Sequence, residues 1–322
     1  MTAVLVTGAT TPLGVRLVDQ LCRAPDVAHV LAVGIEAEAR SRLRPCDRLT
    51  YAQVDLRRDR GIRELMFGPV RELKIDTIVH TPLHRHAGHT GRHIHAINVE
   101  STRALLLTAE RHPTIRRFVF QSHALIYRVR SDQPSVFAED HPINFSARAP
   151  QWLRDRVEAD LTVCARMGMC DLQIAVLRCS ECVGPGIGSQ LFDYLQSRVC
   201  LRPMGFDPML NLLSVDDTVA ALTAAIGTDA QGVFNIPGAD TLPLSALIER
   251  AGRLDVPVPG PLLRPLYGLR ALTRGTQFRY DLNLGRFHFS GVPDGTRARD
   301  VLGYVPRHRI DWHGLTSGPR TS

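Results

Sequence analysis

The sequence is poor in lysine: among its 39 lysine and arginine residues, only Lys74 is a lysine. Nearly all of the positive charge is therefore arginine, and the formal net charge is +7 at pH 7. Two explanations stay open: a general arginine bias of the genome, or an anionic partner such as a phosphorylated substrate, an acidic membrane or nucleic acid. Since no nucleic-acid-binding motif is present, we expect no nucleic-acid partner.

Long apolar runs are also lacking, because no stretch approaches the roughly 18 residues of a membrane-spanning helix. Met1 is followed almost at once by an apolar run that reads as a first strand, so we expect no signal peptide. The seven cysteines are an odd number and are scattered, which favours reduced thiols over a disulfide framework. We therefore expect a cytoplasmic protein, and the 44% hydrophobic and 22% charged fractions indicate an ordered globular chain.

The first half of the sequence alternates short apolar runs with helical stretches, which is the pattern of parallel βαβ units. It predicts strands at 4–7, 29–33, 49–54, 77–80, 118–121 and 173–177, and helices at 13–24, 60–73, 98–111 and 152–167. Beyond about residue 184 the regularity weakens, although strands at 210–214 and 232–236 and helices at 216–226 and 244–251 are still predicted. Four prolines between residues 257 and 265 introduce a C-terminal region that we expect to be irregular.

The segment 7–14 reads TGATTPLG and lies between the first predicted strand and the first predicted helix. A glycine in this place permits a tight turn, and a helix N-terminus offers unpaired N–H groups to a pyrophosphate. The strand–turn–helix context predicts an α/β, Rossmann-type doubly wound parallel sheet that binds a dinucleotide. The residues expected to contact the dinucleotide in this turn are Gly8, Thr10, Thr11, Pro12, Leu13 and Gly14.

At this point the sequence resembles the extended short-chain dehydrogenase/reductases, the group of NAD-dependent epimerases and dehydratases. Further landmarks of that group recur in order along nearly the whole chain: Asp55-Leu56, Val79-His80, Asn98-Val99, residues 120–127, Arg178, residues 183–186, 213–217, 234–236 and 302–306. The resemblance implies that Asp55 and Leu56 face the adenine of the cofactor and that Asn98 also belongs to the cofactor site. It also implies a dinucleotide-binding core at residues 1–180. Residues 181–322 would form mainly a small α/β substrate lobe, with some segments returning to the core.

Two features of the cofactor turn depart from the resemblance. Thr11 replaces the middle glycine of the family, and its β-carbon crowds the approach of a pyrophosphate, although its hydroxyl could instead bind a phosphate oxygen. The second strand ends without the usual acidic residue, for which Glu36 or Glu38 could substitute. Since no arginine follows that strand directly, the sequence favours NAD, and NADP stays open.

The catalytic positions depart further. The resemblance implies a serine or threonine and a Tyr-x-x-x-Lys pair, which here correspond to His123, Trp152 and Arg156. The two helix positions keep their i, i+4 spacing and so share one helix face. However, indole has no proton to transfer and arginine stays protonated, which leaves His123 as the one triad position able to titrate near neutral pH.

Two functions consequently stay open. The first is oxidoreductase or epimerase chemistry with an altered triad, acting on a small molecule that is nucleotide-linked or lipid-like. The second is a non-catalytic protein that senses a dinucleotide or serves as a regulatory scaffold. A homodimer is compatible with both.

Three other sequence features have a structural and a functional interpretation. Five histidines between residues 84 and 95 could hold a metal if the segment is helical, but we favour a loop that faces solvent or substrate and predict no metal site. The Cys179-x-x-Cys182 pair has redox spacing, and we favour a structural role. Residues 261–274 alternate leucine with arginine, and we favour a helix of the substrate lobe that packs its leucines inward over a peripheral membrane contact.

Overall fold

The computed structural model of the protein describes residues 1–81, 84, 86–274 and 276–316. Within these residues it contains the following strands: β1 Thr2–Thr7, β2 Val27–Gly34, β3 Leu49–Gln53, β4 Thr77–His80, β5 Arg117–His123, β6 Val136–Phe137, β7 Gln173–Cys179, β8 Glu181–Cys182, β9 Val199–Pro203, β10 Met209–Leu213, β11 Gly232–Ile236, β12 Asp240–Pro243, β13 Leu254–Val258 and β14 Val292–Pro293.

The same residues form these α-helices: α1 Pro12–Arg23, α2 Asp59–Leu65, α3 Arg92–His95, α4 Ser101–Ala109, α5 Gln151–Cys164, α6 Gln190–Leu195, α7 Val215–Ile226, α8 Leu244–Arg250, α9 Gly260–Arg274, α10 Tyr280–His288, α11 Thr296–Leu302 and α12 Trp312–Thr316. Short 3-10 turns occur at Glu38–Arg40 and Ala124–Ile126, and π-type segments at Met66–Val70 and Ala96–Glu100.

The central sheet is seven-stranded within the described chain, in the order β11-β7-β5-β4-β1-β2-β3, and every neighbouring pair is parallel. These strands are continuous apolar runs because both faces of the sheet are covered by helices. The chain order reverses between β1 and β4, which creates a crevice at the carboxyl ends of those strands. The predicted doubly wound parallel sheet is confirmed.

Each face of the sheet has its own apolar core. On one face α1 contributes Leu17 and Leu21, which pack with Leu222 of α7. On the other face Leu105 of α4 packs with Val163 of α5. These two layers hold the carboxyl edge of the sheet, and therefore the crevice, in a fixed place.

The later part of the chain both returns to this core and builds a separate cluster. Strand β11 extends the central sheet beside β7, and α7 packs against α1. Strands β12, β10 and β8 form a small second sheet, and β9 pairs with β13. The cluster beside them is rich in aromatic rings that contact one another, including Tyr194, Tyr267 and Phe287.

The region after residue 257 is more ordered than the proline pattern predicts. Pro261 lies in the first turn of α9, where a missing N–H removes no intrahelical hydrogen bond. Pro265 lies inside the helix, yet the helix persists because Leu263 and Tyr267 are buried in the aromatic cluster. Tertiary packing has overridden local propensity here.

Candidate active site

The turn from β1 to α1 depends on two glycines. Gly8 has a φ of 62°, a left-handed conformation that side chains disfavour. At Gly14 a β-carbon would lie 2.2 Å from the carbonyl oxygen of Gly8, so the helix can approach the turn only without one. The chain therefore bends sharply and brings the N-terminus of α1 to the crevice.

Thr11 caps the helix that begins at this turn. Its Oγ1 accepts a hydrogen bond from the amide of Gly14 at 3.0 Å. The hydroxyl hydrogen remains available for donation, because the capping bond uses only an acceptor site. Pro12 has no N–H, and within the described residues the Leu13 amide has no hydrogen-bond partner. The helix end thus offers two donors, the Leu13 N–H and the Thr11 O–H.

One half of the crevice extends from this turn toward β2 and β3. It is lined by Gly8, Thr10, Thr11, Val33, Gly34, Ile35, Glu36, Val54, Asp55, Leu56, Arg57 and Ile97. Thr10 donates to the Glu36 carboxylate at 2.6 Å, which places an acidic group beside the end of β2. Asp55 is held by Arg57 through two bonds of 2.6 Å, and these hydrogen bonds lower the pKa of Asp55. Arg57 was not predicted, since its role depends on its contact with Asp55.

The other half of the crevice brings His123, Trp152 and Arg156 together. All three line one cavity, which also contains Thr11 and Leu13. The centroids of the His123 and Trp152 rings are 6.0 Å apart, and the planes of the two rings are inclined at 68°. Because Thr11 lines both halves, the crevice runs from the Glu36 side to the His123 side past the N-terminus of α1.

Trp152 and Arg156 form one unit on α5. The Arg156 guanidinium lies 3.4 Å from the centroid of the Trp152 ring and also donates to the Trp152 carbonyl at 3.2 Å. Burial lowers the pKa of Arg156 to about 9, so the group is still cationic at neutral pH. A cation over an indole face is a stabilising arrangement, and it holds both side chains in place.

His123 ends β5 and accepts a hydrogen bond from the Leu125 amide at its Nδ1, at 3.0 Å. The neutral ring therefore carries its hydrogen on Nε2. Burial, together with the positive charges of Arg156 and Arg286, lowers the pKa of His123 to about 3, although Glu181 acts in the opposite direction. This burial is not visible in the sequence, and it disfavours the expected titration of His123 near neutral pH.

Several buried polar atoms around the crevice have no hydrogen-bond partner among the described residues. They are Asn98 Nδ2, Gln121 Oε1, Trp152 Nε1 and Ser180 Oγ. An unpaired buried polar group lowers the stability of the folded state by about 1–3 kcal/mol. Four such groups around one crevice are typical of a site where a bound ligand supplies their hydrogen-bond partners. The sequence predicted Asn98 here, whereas Gln121 and Ser180 were missed.

Two polar residues near His123 are engaged elsewhere. Ser122 donates to Asp160 at 2.5 Å, and Arg178 binds the same carboxylate at 2.7 and 3.1 Å. The Tyr127 hydroxyl accepts from Arg178 at 3.0 Å and donates to Asn235 at 2.7 Å. This buried network fixes the ends of β5, β7 and β11 and leaves Ser122 and Tyr127 without a free proton-handling role.

A second cleft of about 370 Å³ opens beside His123 toward the C-terminal part of the chain. Its lining includes five arginines: Arg128, Arg130, Arg148, Arg264 and Arg286. Arg286 is paired with the buried Glu181. Burial alone would raise the pKa of Glu181, but its ion pair with Arg286 keeps the pKa lowered. The remaining arginines give this cleft a positive character that suits an anionic ligand.

The histidine-rich segment is helical only at α3, which includes His93 and His95 but not His86 or His89. His93 contacts Arg57 at 2.9 Å and His95 contacts Asp155 at 3.0 Å. Residues 82, 83 and 85 lie outside the described part of the chain, and within that part no three potential ligands form a metal-binding group. The helical premise of the metal interpretation is therefore wrong.

Cys179 and Cys182 are buried and carry free thiols in the described structure. Burial raises the pKa of both thiols, that of Cys182 to about 12. Thiols with such pKa values are protonated and poorly nucleophilic at neutral pH.

The sequence matches the model of a known protein family. The model of the NAD dependent epimerase/dehydratase family matches residues 4–236. The chain belongs to this family. The resemblance inferred from the sequence markers is thus confirmed. The residues that the family model matches contain nearly the whole seven-stranded sheet and its glycine turn.

Relatives of known sequence include proteins of Mycobacterium and Streptomyces species. An uncharacterised protein of Mycobacterium tuberculosis (strain ATCC 25618 / H37Rv) is 32% identical over 313 residues, which is 94% of this chain and 80% of the relative. The 3-diazoavenalumate denitrifying reductase of a Streptomyces species is 29% identical over 210 residues, which is 64% of this chain and 66% of that protein.

Solved structures of family members share the fold at lower identity. The UDP-glucose 4-epimerase of Thermotoga maritima, solved with UDP-glucose, has a TM-score of 0.71 at 15% identity and covers 98% of this chain and 96% of its own. DesIV of Streptomyces venezuelae, a dTDP-glucose 4,6-dehydratase solved with NAD bound, has a TM-score of 0.69 at 19% identity, with 98% and 95% coverage.

Proposed function

We propose that the chain binds NAD along the crevice, with the pyrophosphate at the N-terminus of α1. The Leu13 N–H and the Thr11 O–H are the donors that would hold it. Thr11 thus contributes a hydroxyl where other family members have a glycine. The carboxylate of Glu36 beside the end of β2 favours a ribose over a ribose phosphate, which supports NAD rather than NADP.

The observation that carries this proposal is the set of unpaired atoms at the His123 end of the crevice. Asn98 and Trp152 present donors, Gln121 presents an acceptor, and the Ser180 hydroxyl presents both. A nicotinamide carboxamide offers the complementary acceptor and donors. The residues present therefore fit the far end of a dinucleotide whose other end occupies the Glu36 side.

Bound NAD would supply hydride transfer, and the side chains around it determine what else the site can do. His123 presents Nε2–H as a hydrogen-bond donor, Trp152 presents Nε1–H, and Arg156 holds a positive charge beside them. None of these groups exchanges a proton near neutral pH. We infer that the site orients and polarises a substrate oxygen, and that the proton is handled by the substrate or by water.

The substrate we propose is a small anionic molecule, either nucleotide-linked or lipid-like, in the 370 Å³ cleft. The arginines that line the cleft support a phosphate or carboxylate group. The solved structures of family members with UDP-glucose and UDP-glucuronic acid support a nucleotide-linked ligand.

Titration of the protein with NADH and with NADPH, followed by fluorescence, tests the cofactor part. We expect NADH to bind and Gly8→Ala to weaken binding strongly, because a side chain at a φ of 62° strains the turn that presents the N-terminus of α1. Gly205→Ala is the matched control, since Gly205 also has positive φ, at 82°, but faces open space. Failure of the wild-type protein to bind either nucleotide would refute the proposal.

A non-catalytic dinucleotide sensor is the second candidate, favoured by the absence of a titrating group at His123, Trp152 and Arg156. The two candidates differ in turnover. With UDP-glucose and UDP-glucuronic acid, product formation should be followed by chromatography, because epimerisation returns the nicotinamide to its starting state. With 3-diazoavenalumate, the loss of NADH absorbance should be followed, since a related protein is named as its reductase. Turnover with any of them favours the enzyme, and NADH binding without turnover across the panel favours the sensor.

A further inference from the structure

Helix α9 presents an apolar face to the outside of the molecule. The exposed fractions of Leu262, Leu266, Leu269 and Leu272 are 51%, 38%, 59% and 86%. At 3.6 residues per turn these side chains fall on one stripe of the helix. Leu263 lies on the other side and is fully buried in the aromatic cluster. The helix is therefore anchored by one face and exposes a second apolar face.

Among the side chains of α9 that the structure describes, no charged group lies between the four leucines. The exposed neighbours of the leucines are Pro261, Pro265, Gly268 and Thr273, and the exposed Arg264 lies at the edge. The Thr273 hydroxyl donates to the Leu269 carbonyl at 2.9 Å, which satisfies its hydrogen within the helix. We call the surface formed by these four neighbours and the four leucines the leucine face.

Arginines border the leucine face, and carboxylates do not pair with them within the described residues. Arg264 is exposed on one flank of α9. On the other flank Arg270 donates to the Val199 carbonyl at 2.9 Å, and Arg253 donates to the Leu195 carbonyl at 2.6 Å. Because their partners are neutral carbonyls, their positive charge is not cancelled.

We propose that the leucine face of α9 docks onto an anionic lipid membrane. An apolar stripe flanked by arginines is the arrangement of an interfacial helix, whose leucines enter the acyl boundary while the arginines reach lipid phosphates. The helix would lie along the surface. Among the described residues no helix is both long and apolar enough to cross a bilayer.

A lipid surface suits this face better than a second copy of the chain. Pairing two leucine faces would bring Arg253, Arg264 and Arg270 of one copy toward the same arginines of the other, and like charges disfavour such contact. An anionic membrane offers the opposite charge. Arg264 also lines the 370 Å³ cleft, so docking would place the cleft beside the lipid surface.

Vesicle co-sedimentation with the full chain tests the proposal. We expect the protein to sediment with vesicles that contain phosphatidylglycerol, and to bind vesicles of phosphatidylcholine alone about tenfold less tightly. The double variant Leu269→Asp/Leu272→Asp should lose about tenfold or more of the binding. Both side chains are exposed, so the melting temperature should stay near that of the wild type. Val301→Asp on α11 is the matched control, because Val301 is 47% exposed on a helix of the core.

Equal sedimentation of the double variant and Val301→Asp would overturn the proposal. Binding to both vesicle types with equal affinity would do the same, because it removes the role of the arginines. If the wild type does not bind vesicles and the double variant instead converts a dimer to a monomer in gel filtration, the leucine face is an interface between copies. None of these results depends on NAD binding.

Discussion

The guanidinium of Arg156 lies 3.4 Å from the centroid of the Trp152 indole, one helical turn earlier on α5. The two residues occupy the positions at which the sequence markers of the family imply a tyrosine and a lysine. Each holds the other, and neither transfers a proton near neutral pH. We therefore expect binding of a dinucleotide to be easier to detect than turnover.

Ser180→Ala should raise stability and weaken ligand binding. The Ser180 hydroxyl is buried and has no partner among the described residues, so its removal should stabilise the fold by about 1 kcal/mol. The same change removes a polar group from the crevice, and NADH affinity should fall about fivefold. Chemical denaturation and fluorescence titration measure the two effects.

Thr223→Ala provides the control, since Thr223 Oγ1 is a second unpaired buried hydroxyl that lies on α7 and lines neither cavity. It should stabilise the protein without changing NADH affinity. A loss of affinity in both variants would show that the effect of Ser180→Ala is indirect.

Glu36→Gln should shift cofactor preference toward NADPH. The carboxylate accepts from Thr10 at 2.6 Å, and removing its charge lowers the repulsion of a ribose phosphate. We expect the ratio of NADPH to NADH affinity to rise about tenfold, equivalent to about 1.4 kcal/mol. Glu38→Gln, two residues further on at the start of the 3-10 segment, should leave the ratio unchanged. An unchanged ratio in Glu36→Gln would place the adenosine ribose elsewhere.

The sequence predicted those site residues whose position follows from local pattern. Gly8, Thr11 and Gly14 follow from a strand, a turn and a helix in succession. His123, Trp152, Arg156 and Asn98 follow from the resemblance to the family, whose sequence markers occur in the same order here. The structure places His123, Trp152 and Arg156 in one cavity with Thr11.

The residues that were missed depend on packing between distant segments. Ser180 faces the crevice because β7 ends beside β5, and Arg264 reaches the cleft from a distant helix whose place in the fold the sequence does not show. The low pKa of His123 depends on burial by surrounding elements. No local pattern encodes desolvation or the convergence of arginines from residues 128 to 286, so only the folded chain reveals them.

The His123 ring should not titrate in the physiological range. Burial lowers its pKa to about 3, so the imidazole stays neutral from about pH 5 to pH 8. Its ring proton resonances should therefore be constant across that interval in NMR titrations, with the His123→Gln spectrum providing the assignment. A midpoint between pH 6 and pH 7 would restore His123 as a general base.

Asp160→Asn should destabilise the protein strongly without a direct effect on the crevice. Asp160 is fully buried and neutralises Arg178, whose side chain is 5% exposed. Removing the charge leaves a buried guanidinium uncompensated, which costs about 3–5 kcal/mol. Urea denaturation measures this loss, and Glu158→Gln on the same helix, which breaks the exposed pair with Arg103, should cost under about 1 kcal/mol. A small effect of Asp160→Asn would mean that the Ser122–Asp160–Arg178 network is not a structural anchor.

Asp193 on α6 should make stability fall as the pH rises from about 4 to 7. Burial, with a contribution from Glu181, raises its pKa to about 7. Between the unfolded pKa of about 3.9 and the folded value, the native state holds a proton that the unfolded chain has lost, so each pH increment favours unfolding. Above pH 7 both states are ionised at this group and its contribution levels off.

Asp193→Asn isolates this effect. The variant should be about 1–3 kcal/mol more stable than the wild type at pH 8, where the native wild type must hold a desolvated carboxylate. At pH 4 the two proteins should differ little, because the native carboxyl is then protonated and neutral like the amide. Thermal or urea denaturation at both pH values gives the comparison. An equal stability difference at pH 4 and pH 8 would show that the carboxyl of Asp193 titrates normally and that its surroundings are more hydrated than its packing indicates.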